Sequence, residues 1–238
     1  MNQFSRTGLL LGEEGLERLH RARVAVFGLG GVGGHCCEAL IRSGIGAICL
    51  VDNDTVSLTN LNRQLVALHS TVGQPKTEAL KKRLKDINPE AEIETRQMFY
   101  LPETAEEIDL SRFTYVVDAI DTVSAKLELI SRCHELNVPI ISALGAGNRL
   151  DPSQLRVMDI MKTSGCPLAK AVRVGCRKRG IEHLKVACSL EEPMTPGESG
   201  EPLPPGKHAV PGSSAFVPPA MGLLLASQVV RDIALGEG

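Results

Sequence analysis

A glycine-rich turn and the acid that follows it have the residue types and spacing of a nucleotide-binding site. Gly28, Gly30 and Gly33 fit the pattern G-x-G-x-x-G within the run GLGGVGG, which also contains Gly31. Such a turn lets the backbone approach a phosphate, and the helix that follows offers unpaired N–H groups. Asp52 comes after the next apolar run and can accept a hydrogen bond from a ribose hydroxyl. These residues alone fit an NAD site equally well.

Polar and basic residues beyond this acid favour a triphosphate over a dinucleotide. They are Asp54, Asn60, Arg63, Gln64 and Lys76. An ATP that is to be cleaved needs cations along its phosphates because charge develops on the leaving pyrophosphate, whereas hydride transfer gives such cations no task. Taken singly, Lys76 could be a solvated residue at a helix end and Arg63 a member of a surface ion pair. Taken together, they indicate a site that cleaves ATP.

Two further acids end a third apolar segment. Residues 113–121 read FTYVVDAID, so Asp118 and Asp121 follow a predicted strand. Strand-end carboxylates of an open parallel sheet lie at the edge where ligands bind, and a carboxylate beside phosphates is a natural Mg²⁺ ligand. We predict that Asp121 binds the metal. Asp118 is a candidate for the ATP site, with a helix-capping or turn acid as the alternative.

Secondary-structure elements must position these groups, and strand and helix patterns alternate along the sequence. This alternation predicts an α/β, Rossmann-like fold with a mainly parallel sheet flanked by helices. A chain of 238 residues, 43% of them hydrophobic, can bury one large core. We expect a single domain, with a nucleotide-binding core over about residues 22–142 and an irregular or antiparallel elaboration on the substrate side over about 143–238. The predicted strands are Arg23–Phe27, Ala47–Val51, Glu92–Arg96, 113–121 and 139–142, and the predicted helices start at Val32 or cover 75–86, 101–108, 123–137 and 167–179.

Several motifs together resemble one enzyme family. GxGGVGG, D-N-D-x-V-x-x-x-N-L-N-R-Q, V-G-Q-P-K and V-V-D-A-I-D are similar to the motifs of ubiquitin-activating-type adenylyltransferases. Within that group, segments such as FSRTGLLLGEEGLERL, ALGAGNRLDPSQL and GSSAFVPPAMG resemble the tRNA threonylcarbamoyladenosine dehydratases over nearly the entire chain. The resemblance implies that ATP activates the carboxylate of a threonylcarbamoyl group beside the anticodon of a tRNA. Ring closure with net loss of water would then release AMP, after pyrophosphate.

The resemblance also implies roles for individual residues. Asp52 would hold the ribose, Asp121 would hold Mg²⁺, and the triphosphate would be contacted by Asn60, Arg63 and Lys76. Arg6 occupies the position of an arginine that reaches the partner subunit's ATP site in related enzymes, which implies a homodimer. The competing interpretation is that Arg6 is a frayed terminal residue.

A basic stretch gives a separate indication of the substrate. Between positions 156 and 185 eight basic residues oppose two acids, a local formal charge of +6 in a chain whose net formal charge is −2. A solvated helix face is the usual meaning of such a run, but a basic patch beside a nucleotide site also suits a tRNA. Aromatic residues make up only 3% of the chain, so we expect phosphate contacts to dominate over base stacking. The candidate tRNA contacts are Lys170, Arg173, Arg177, Lys178 and Arg179.

The cysteines and the terminal segments indicate a compartment. Seven cysteines without a C-x-x-C pair fit a reducing compartment and argue against a structural zinc site, which separates the chain from many sulfur-carrier activators. Cys188 is the one thiol we consider as an acyl acceptor, with a packing role at a strand end as the alternative. The start of the chain lacks the features of a signal peptide, and the longest uncharged stretch is broken by prolines. We expect a cytoplasmic protein without an integral membrane span, with peripheral membrane contact left open.

Two other functions compete with tRNA dehydration. The first is adenylation of the C-terminal glycine of a ubiquitin-like sulfur carrier, and a sulfur-transfer partner protein is also left open. The second is an NAD-dependent oxidoreductase or a non-catalytic dinucleotide-binding module.

Residues 193–211, which are rich in proline and glycine and include His208, are expected to form a long irregular loop near the site.

Overall fold

Strands and helices alternate along the chain, as the apolar patterns predict. The computed structural model describes residues 2–200 and 210–236. His208 and most of the second half of the 193–211 segment therefore lie outside the described residues. In chain order the elements are α1 (Ser5–Arg21), β1 (Arg23–Phe27), α2 (Gly33–Ser43), β2 (Ala47–Val51), α3 (Lys76–Ile87), β3 (Glu92–Arg96), β4 (Tyr115–Asp118), α4 (Val123–Glu135), β5 (Ile140–Ala143), β6 (Leu155–Asp159), α5 (Pro167–Lys178), β7 (Lys185–Ser189) and α6 (Val217–Leu235).

The described strands form one seven-stranded sheet in the order β3-β2-β1-β4-β5-β7-β6. Five of the neighbouring pairs are parallel, and only β6 runs antiparallel to its neighbour β7. This arrangement confirms the Rossmann-like α/β prediction and the antiparallel elaboration in the C-terminal part. The strand order reverses between β1 and β4, and such a switch point opens a crevice at the carboxyl ends of the strands.

Helices cover both faces of the sheet. Alternate residues of β1 point to opposite sides, so Val24 and Val26 belong to one apolar cluster and Ala25 and Phe27 to another. The first cluster joins the sheet to α2, α3 and α6, and the second joins it to α4. A third cluster packs α5 against α4 and β7. Burial on both faces explains why β1 and β2 read as continuous apolar runs in the sequence.

Three local predictions differ from the structure. The helix predicted at 101–108 is only a 3₁₀ turn at Ala105–Glu107, because the Thr104 hydroxyl accepts from the Leu101 N–H and donates to the Phe99 carbonyl instead of leaving these groups to a helix. The strand predicted at 113–121 ends at Asp118, and the residues after it form a loop. Cys188, predicted in a loop-like segment, lies inside β7.

The apolar segment near the C-terminus forms a packed helix. Met221, Leu225 and Val229 of α6 are fully buried against the first cluster. Within residues 2–200 and 210–236, no helix has the length and apolar character required to cross a membrane.

Candidate functional site

A crevice of about 860 Å³ lies at the carboxyl edge of the sheet. It gathers most of the groups that the sequence singles out, although they come from four separate segments of the chain. A second cavity of about 900 Å³ lies at the amino ends of β4, β5 and β7, and none of the predicted site residues reaches it. The predicted residues that line the crevice are Gly28, Gly30, Gly31, Asp52, Asp54, Arg63, Lys76 and Asp121.

The glycines shape the turn between β1 and α2. Gly28 has φ of 87°, a conformation that favours glycine. A Cβ at Gly33 would lie 1.8 Å from the Gly28 carbonyl oxygen, so only glycine lets the helix start so close to the strand. Gly33 therefore packs behind the turn, while Gly30 and Gly31 form part of the crevice wall. The turn can present backbone N–H groups to a phosphate.

Asp52 is fixed at the end of β2. Its Oδ2 accepts from the Leu29 N–H at 2.6 Å and its Oδ1 accepts from the Asp54 N–H at 2.8 Å. Burial raises the pKa of Asp52 above its ordinary value, while the charge of Lys76 and the two N–H groups act in the opposite direction. The carboxylate thus links the glycine turn to the segment after β2, in the position expected of a ribose acceptor.

Two cations face the crevice from different elements. Lys76 is the first residue of α3 and only 4% exposed, and its Nζ lies 2.7 Å from Oδ2 of Asp54. The alternative of a solvated lysine at a helix end is therefore wrong. Arg63 is held by bonds from Nη1 to the Thr59 carbonyl at 2.9 Å and to Oδ1 of Asn62 at 2.8 Å.

Asn60 and Gln64 support the segment that carries Arg63 and are not among the residues that line the crevice. Oδ1 of Asn60 accepts from the Ser57 N–H at 3.1 Å, which closes a capping box around a 3₁₀ turn. Gln64 is buried beside Gly30, and its Oε1 is sealed without a hydrogen-bond partner. The structure therefore does not bring the predicted triphosphate contacts of these two amides to the crevice wall.

Asp118 lies beneath the crevice in a buried ion pair. Its Oδ2 is 2.6 Å from Nζ of Lys126, and both side chains are fully buried. Oδ1 accepts from the Ile120 N–H at 3.1 Å, and Lys126 also donates to the Ala143 carbonyl at 2.9 Å. The pair joins the ends of β4 and β5 and holds the loop that carries Asp121. A direct contact between Asp118 and ATP does not fit this burial, because both of its oxygens already bind protein groups.

Lys126 is a residue that the sequence reasoning missed. The sequence contains a signal for it, because Lys126, Ile130 and Cys133 recur at the spacing of one helix face. In the structure all three lie buried on α4. A lysine that is buried in its charged form on such a helix face needs a partner of opposite charge.

Asp121 lies at the crevice, just beyond the end of β4. Mg²⁺ in nucleotide sites is commonly held by one or two carboxylates together with substrate phosphates. Among the described residues, no group of three or more His, Cys, Asp or Glu side chains could hold a metal ion without such phosphates. The Asp121 carboxylate at the crevice therefore fits a magnesium that arrives with a nucleotide.

The basic residues of α5 belong to a helix whose first half lines the same crevice, although they are not themselves among the lining residues. Pro167, Leu168 and Ala171 in the first half of α5 line it, and the exposed residues Lys170, Arg177, Lys178 and Arg179 follow on the helix and at its end. Arg173 is half-buried and donates to the carbonyl and hydroxyl of Thr163 at 2.6 and 2.7 Å. Arg173 therefore stabilises the start of α5, while the other four face solvent.

Arg6 is exposed in the first turn of α1 and does not line the crevice of its own chain. Leu9 and Leu10 follow it on the same helix and are 86% and 85% exposed. This exposed apolar pair lies beside Arg6 on the surface of α1.

The cysteine thiols are withdrawn from solvent. All seven cysteines are free and buried, and Cys188 is 4% exposed within β7. Burial raises the pKa of the Cys188 thiol, which lowers its thiolate fraction. The packing role considered for Cys188 fits this environment better than the role of an acyl acceptor.

We expect Cys188 to resist alkylation in the folded protein. Iodoacetamide at neutral pH should leave it unmodified because both burial and the raised pKa suppress the thiolate. Mass spectrometry of peptides after a short exposure measures the modified fraction, and the same treatment in urea is the control that should modify all seven cysteines. Rapid modification of Cys188 in the folded protein would contradict the packing role.

Comparison with known proteins identifies the family. The profile described as "ThiF family" matches residues 4–234 of the chain. The chain belongs to the ThiF family. Among curated ThiF-like relatives, the tRNA threonylcarbamoyladenosine dehydratase of Bacillus subtilis is 45% identical, over 98% of this chain and 95% of that one. The molybdopterin-synthase adenylyltransferase of Salmonella typhimurium is 38% identical, over 64% of this chain and 60% of that one.

Solved structures give the same result for the fold. The crystal structure of the Escherichia coli tRNA N6-threonylcarbamoyladenosine dehydratase in complex with AMP has a TM-score of 0.89 at 32% identity, covering 98% of this chain and 94% of that one. The complex of the same E. coli protein with ATP has a TM-score of 0.86, also at 32% identity, covering 99% and 96%. The similarity thus covers nearly the whole chain, including its C-terminal part.

Proposed function

We propose that this protein is an ATP-dependent tRNA threonylcarbamoyladenosine dehydratase. The observation that carries the proposal is the crevice, in which the glycine turn, Asp52, Arg63, Lys76 and Asp121 meet. In an NAD site, the cations Arg63 and Lys76 and the loop acid Asp121 would have no chemical role. The B. subtilis relative, matched over nearly the whole chain, supports this dehydratase over other adenylyltransferases of the family.

The proposed reaction has two steps in which the protein aligns groups and stabilises charge. A carboxylate oxygen of the threonylcarbamoyl group attacks the α-phosphorus of ATP, and the bond to the β-phosphate oxygen breaks to release pyrophosphate. An internal nucleophile of the same group then attacks the activated carbonyl carbon, and AMP leaves with the carboxylate oxygen. The ring closes with net loss of water from the substrate. Arg63 and Lys76 stabilise the charge on pyrophosphate, and the aligned groups favour attack by the substrate over attack by water.

Mg²⁺ fits this proposal through Asp121. The ion would neutralise charge on the phosphates, and Asp121 would hold it from the loop after β4. The Lys126–Asp118 pair fixes the start of that loop, since Oδ1 of Asp118 accepts from Ile120, the residue before Asp121.

Pyrophosphate exchange tests the proposed function. The protein is incubated with ATP, Mg²⁺ and radiolabelled pyrophosphate, with threonylcarbamoylated tRNA, with unmodified tRNA, or with a ubiquitin-like sulfur carrier. Exchange that requires the modified tRNA supports the proposal, and exchange that requires the sulfur carrier supports the adenylyltransferase alternative. No ATP turnover but tight NADH binding would replace both with a dinucleotide-binding function.

The proposed reaction needs ATP and tRNA, and seven free thiols fit reducing conditions, so we place it in the cytoplasm.

The exposed cations of α5 are proposed to contact tRNA phosphates. Replacing Arg177, Lys178 and Arg179 with glutamine should weaken tRNA binding and flatten its salt dependence, by about 0.7 in the log–log slope for each lost single-strand phosphate contact and about 0.9 for a duplex-like contact. Fluorescence anisotropy with labelled tRNA over a range of salt concentrations measures both quantities. An unchanged slope would show that this face only contacts solvent.

A charge-matched variant provides the control for this measurement. Lys81, Lys82 and Lys85 lie on α3, which packs beside β2 and β3 at the other edge of the sheet. Replacing these three lysines with glutamine removes the same charge from the molecule. The slope should change much less than in the α5 variant if contacts, rather than net charge, determine it.

We also propose that the active unit is a homodimer in which Arg6 completes the partner's site. The exposed position of Arg6 beside Leu9 and Leu10 supports this arrangement. Mixing an Arg6→Ala variant with a Lys76→Met variant should then restore activity, because each mixed dimer contains one site with both residues intact. Random mixing should recover roughly a quarter of wild-type exchange, although each variant alone is nearly inactive. No recovery on mixing would contradict a contribution in trans.

A further inference from the structure

Arg149 is a buried cation for which the described residues provide no acidic partner. The side chain lines the crevice in the loop after β5 and is 4% exposed. Its Nε donates to the Glu191 carbonyl at 3.1 Å, and its Nη1 donates to the carbonyls of Gly145 and Gly147 at 2.9 and 3.0 Å. These acceptors fix the plane of the guanidinium but carry no net charge to balance it.

Two donors of this guanidinium have no acceptor among the described residues. Arginine has five N–H donors, and the three bonds above use the one on Nε and both on Nη1. The two N–H groups on Nη2 have no acceptor within the part of the chain that the structure describes. Nη2 is not among the fully enclosed, unpartnered side-chain atoms of these residues, so it keeps some exposure in a residue that lines the crevice. A buried charge is costly unless it is paired, which indicates that a ligand supplies the missing anion.

The position of Arg149 favours one source of this anion. Its neighbours in the crevice wall come from the C-terminal elaboration and include Asn148, Cys166 and Pro193, whereas the phosphate-binding turn and Lys76 come from the nucleotide-binding core. The guanidinium therefore belongs to the part of the crevice that receives the second substrate. In the proposed reaction that substrate must bring a carboxylate against the negative phosphates of ATP. A cation on the substrate side lowers this repulsion and orients the attacking oxygen.

We propose that Nη2 of Arg149 binds the carboxylate of the threonylcarbamoyl group before adenylation, an inference that rests on the proposed function. Arg149 is then a substrate-binding residue that selects for the negative charge on the group to be activated. The same donors suit any oxyanion, so a tRNA backbone phosphate and the α-phosphate of ATP are the other sources of this chemistry.

A binding cycle between enzyme and ligand tests the assignment. The ligands are an anticodon stem-loop RNA that carries threonylcarbamoyladenosine and the same RNA with its carboxylate converted to a carboxamide. Isothermal titration calorimetry in the presence of the α,β-methylene analogue of ATP measures their affinities without turnover. For wild type, the carboxamide should bind at least about tenfold more weakly, the size expected for a hydrogen bond to a charged group. For Arg149→Met the two RNAs should bind with nearly equal affinity.

A matched variant separates charge recognition from loop structure. Glu191 accepts from the backbone N–H groups of Leu150 and Asp151 through its side chain, so Glu191→Ala loosens the same loop while leaving Arg149 and its carbonyl partners in place. This control should keep the preference for the carboxylate. If Arg149→Met does not fold, Arg149→Lys retains the charge without the planar fork and should show a reduced preference.

Each other outcome decides against the assignment. A full carboxylate preference in the Arg149 variants, or its loss in Glu191→Ala, would overturn it. Weaker binding of unmodified stem-loop RNA by Arg149→Met would assign the guanidinium to a backbone phosphate, and weaker binding of the ATP analogue alone would assign it to the nucleotide. If wild type binds the ATP analogue but shows no carboxylate preference, the proposed function fails as well.

Discussion

Replacing Lys76 with methionine should lower the rate of pyrophosphate exchange by about 10²–10³-fold, the range seen when one preorganised donor to a developing charge is removed. Lys76 is almost fully buried at the start of α3, so its ammonium acts in a region with little water to screen it. Methionine has a similar volume and should preserve the packing of the helix. The loss should appear in kcat as well as in KM because the charge on pyrophosphate is largest in the transition state.

Stability measurements complete this first prediction. Asp54 loses its partner in Lys76→Met, but its side chain is 55% exposed and water can solvate it, so the variant should remain folded at 25 °C. Lys82→Met, an exposed position on the same helix, is the matched control and should retain wild-type exchange. A folded Lys76→Met variant with wild-type kcat would contradict the assignment of Lys76 to the triphosphate.

Replacing Lys126 with methionine should reduce the free energy of unfolding by about 3–5 kcal/mol. The substitution leaves the Asp118 carboxylate fully buried without the ammonium that now lies 2.6 Å away. It also removes the donor to the Ala143 carbonyl, which ties β5 to the same ion pair. Urea denaturation followed by circular dichroism measures the difference.

The double variant Lys126→Met/Asp118→Asn separates charge from packing. Asparagine is neutral but can still accept from the Ile120 N–H, so the double variant should regain a substantial part of the lost stability. Lys85→Met removes an exposed lysine and should change stability by no more than about 0.5 kcal/mol. A cost below about 1 kcal/mol for Lys126→Met would mean that the pair is weaker than its burial indicates.

Local signals were enough to predict that the glycine turn and two strand-end acids meet at one crevice. Gly28 and Gly33 are required by the backbone of a single turn, and Asp52 and Asp121 follow apolar strands whose carboxyl ends meet at one edge. Right-handed crossovers place helices on both faces of the sheet where the strand order reverses between β1 and β4, but the order itself could not be read from local signals.

The remaining features depend on partners that are distant in sequence or on local competition. Arg149 is fixed by the carbonyl of Glu191, 42 residues later, so its position could not be read from its own segment. The ion pair of Lys126 could be predicted only by knowing which face of α4 packs against Asp118. The helix predicted at 101–108 failed because one threonine hydroxyl satisfied the backbone groups locally.

Because all seven natural cysteines are buried, RNA binding can be followed with a dye on one added cysteine. A single cysteine placed at position 174 of α5, which is exposed and is not among the proposed tRNA contacts, would be the one site that a maleimide dye reaches quickly in the folded protein. None of the seven natural cysteines would have to be removed first. Energy transfer from that dye to a fluorophore on an RNA ligand would then report docking in real time, with the natural interior left intact.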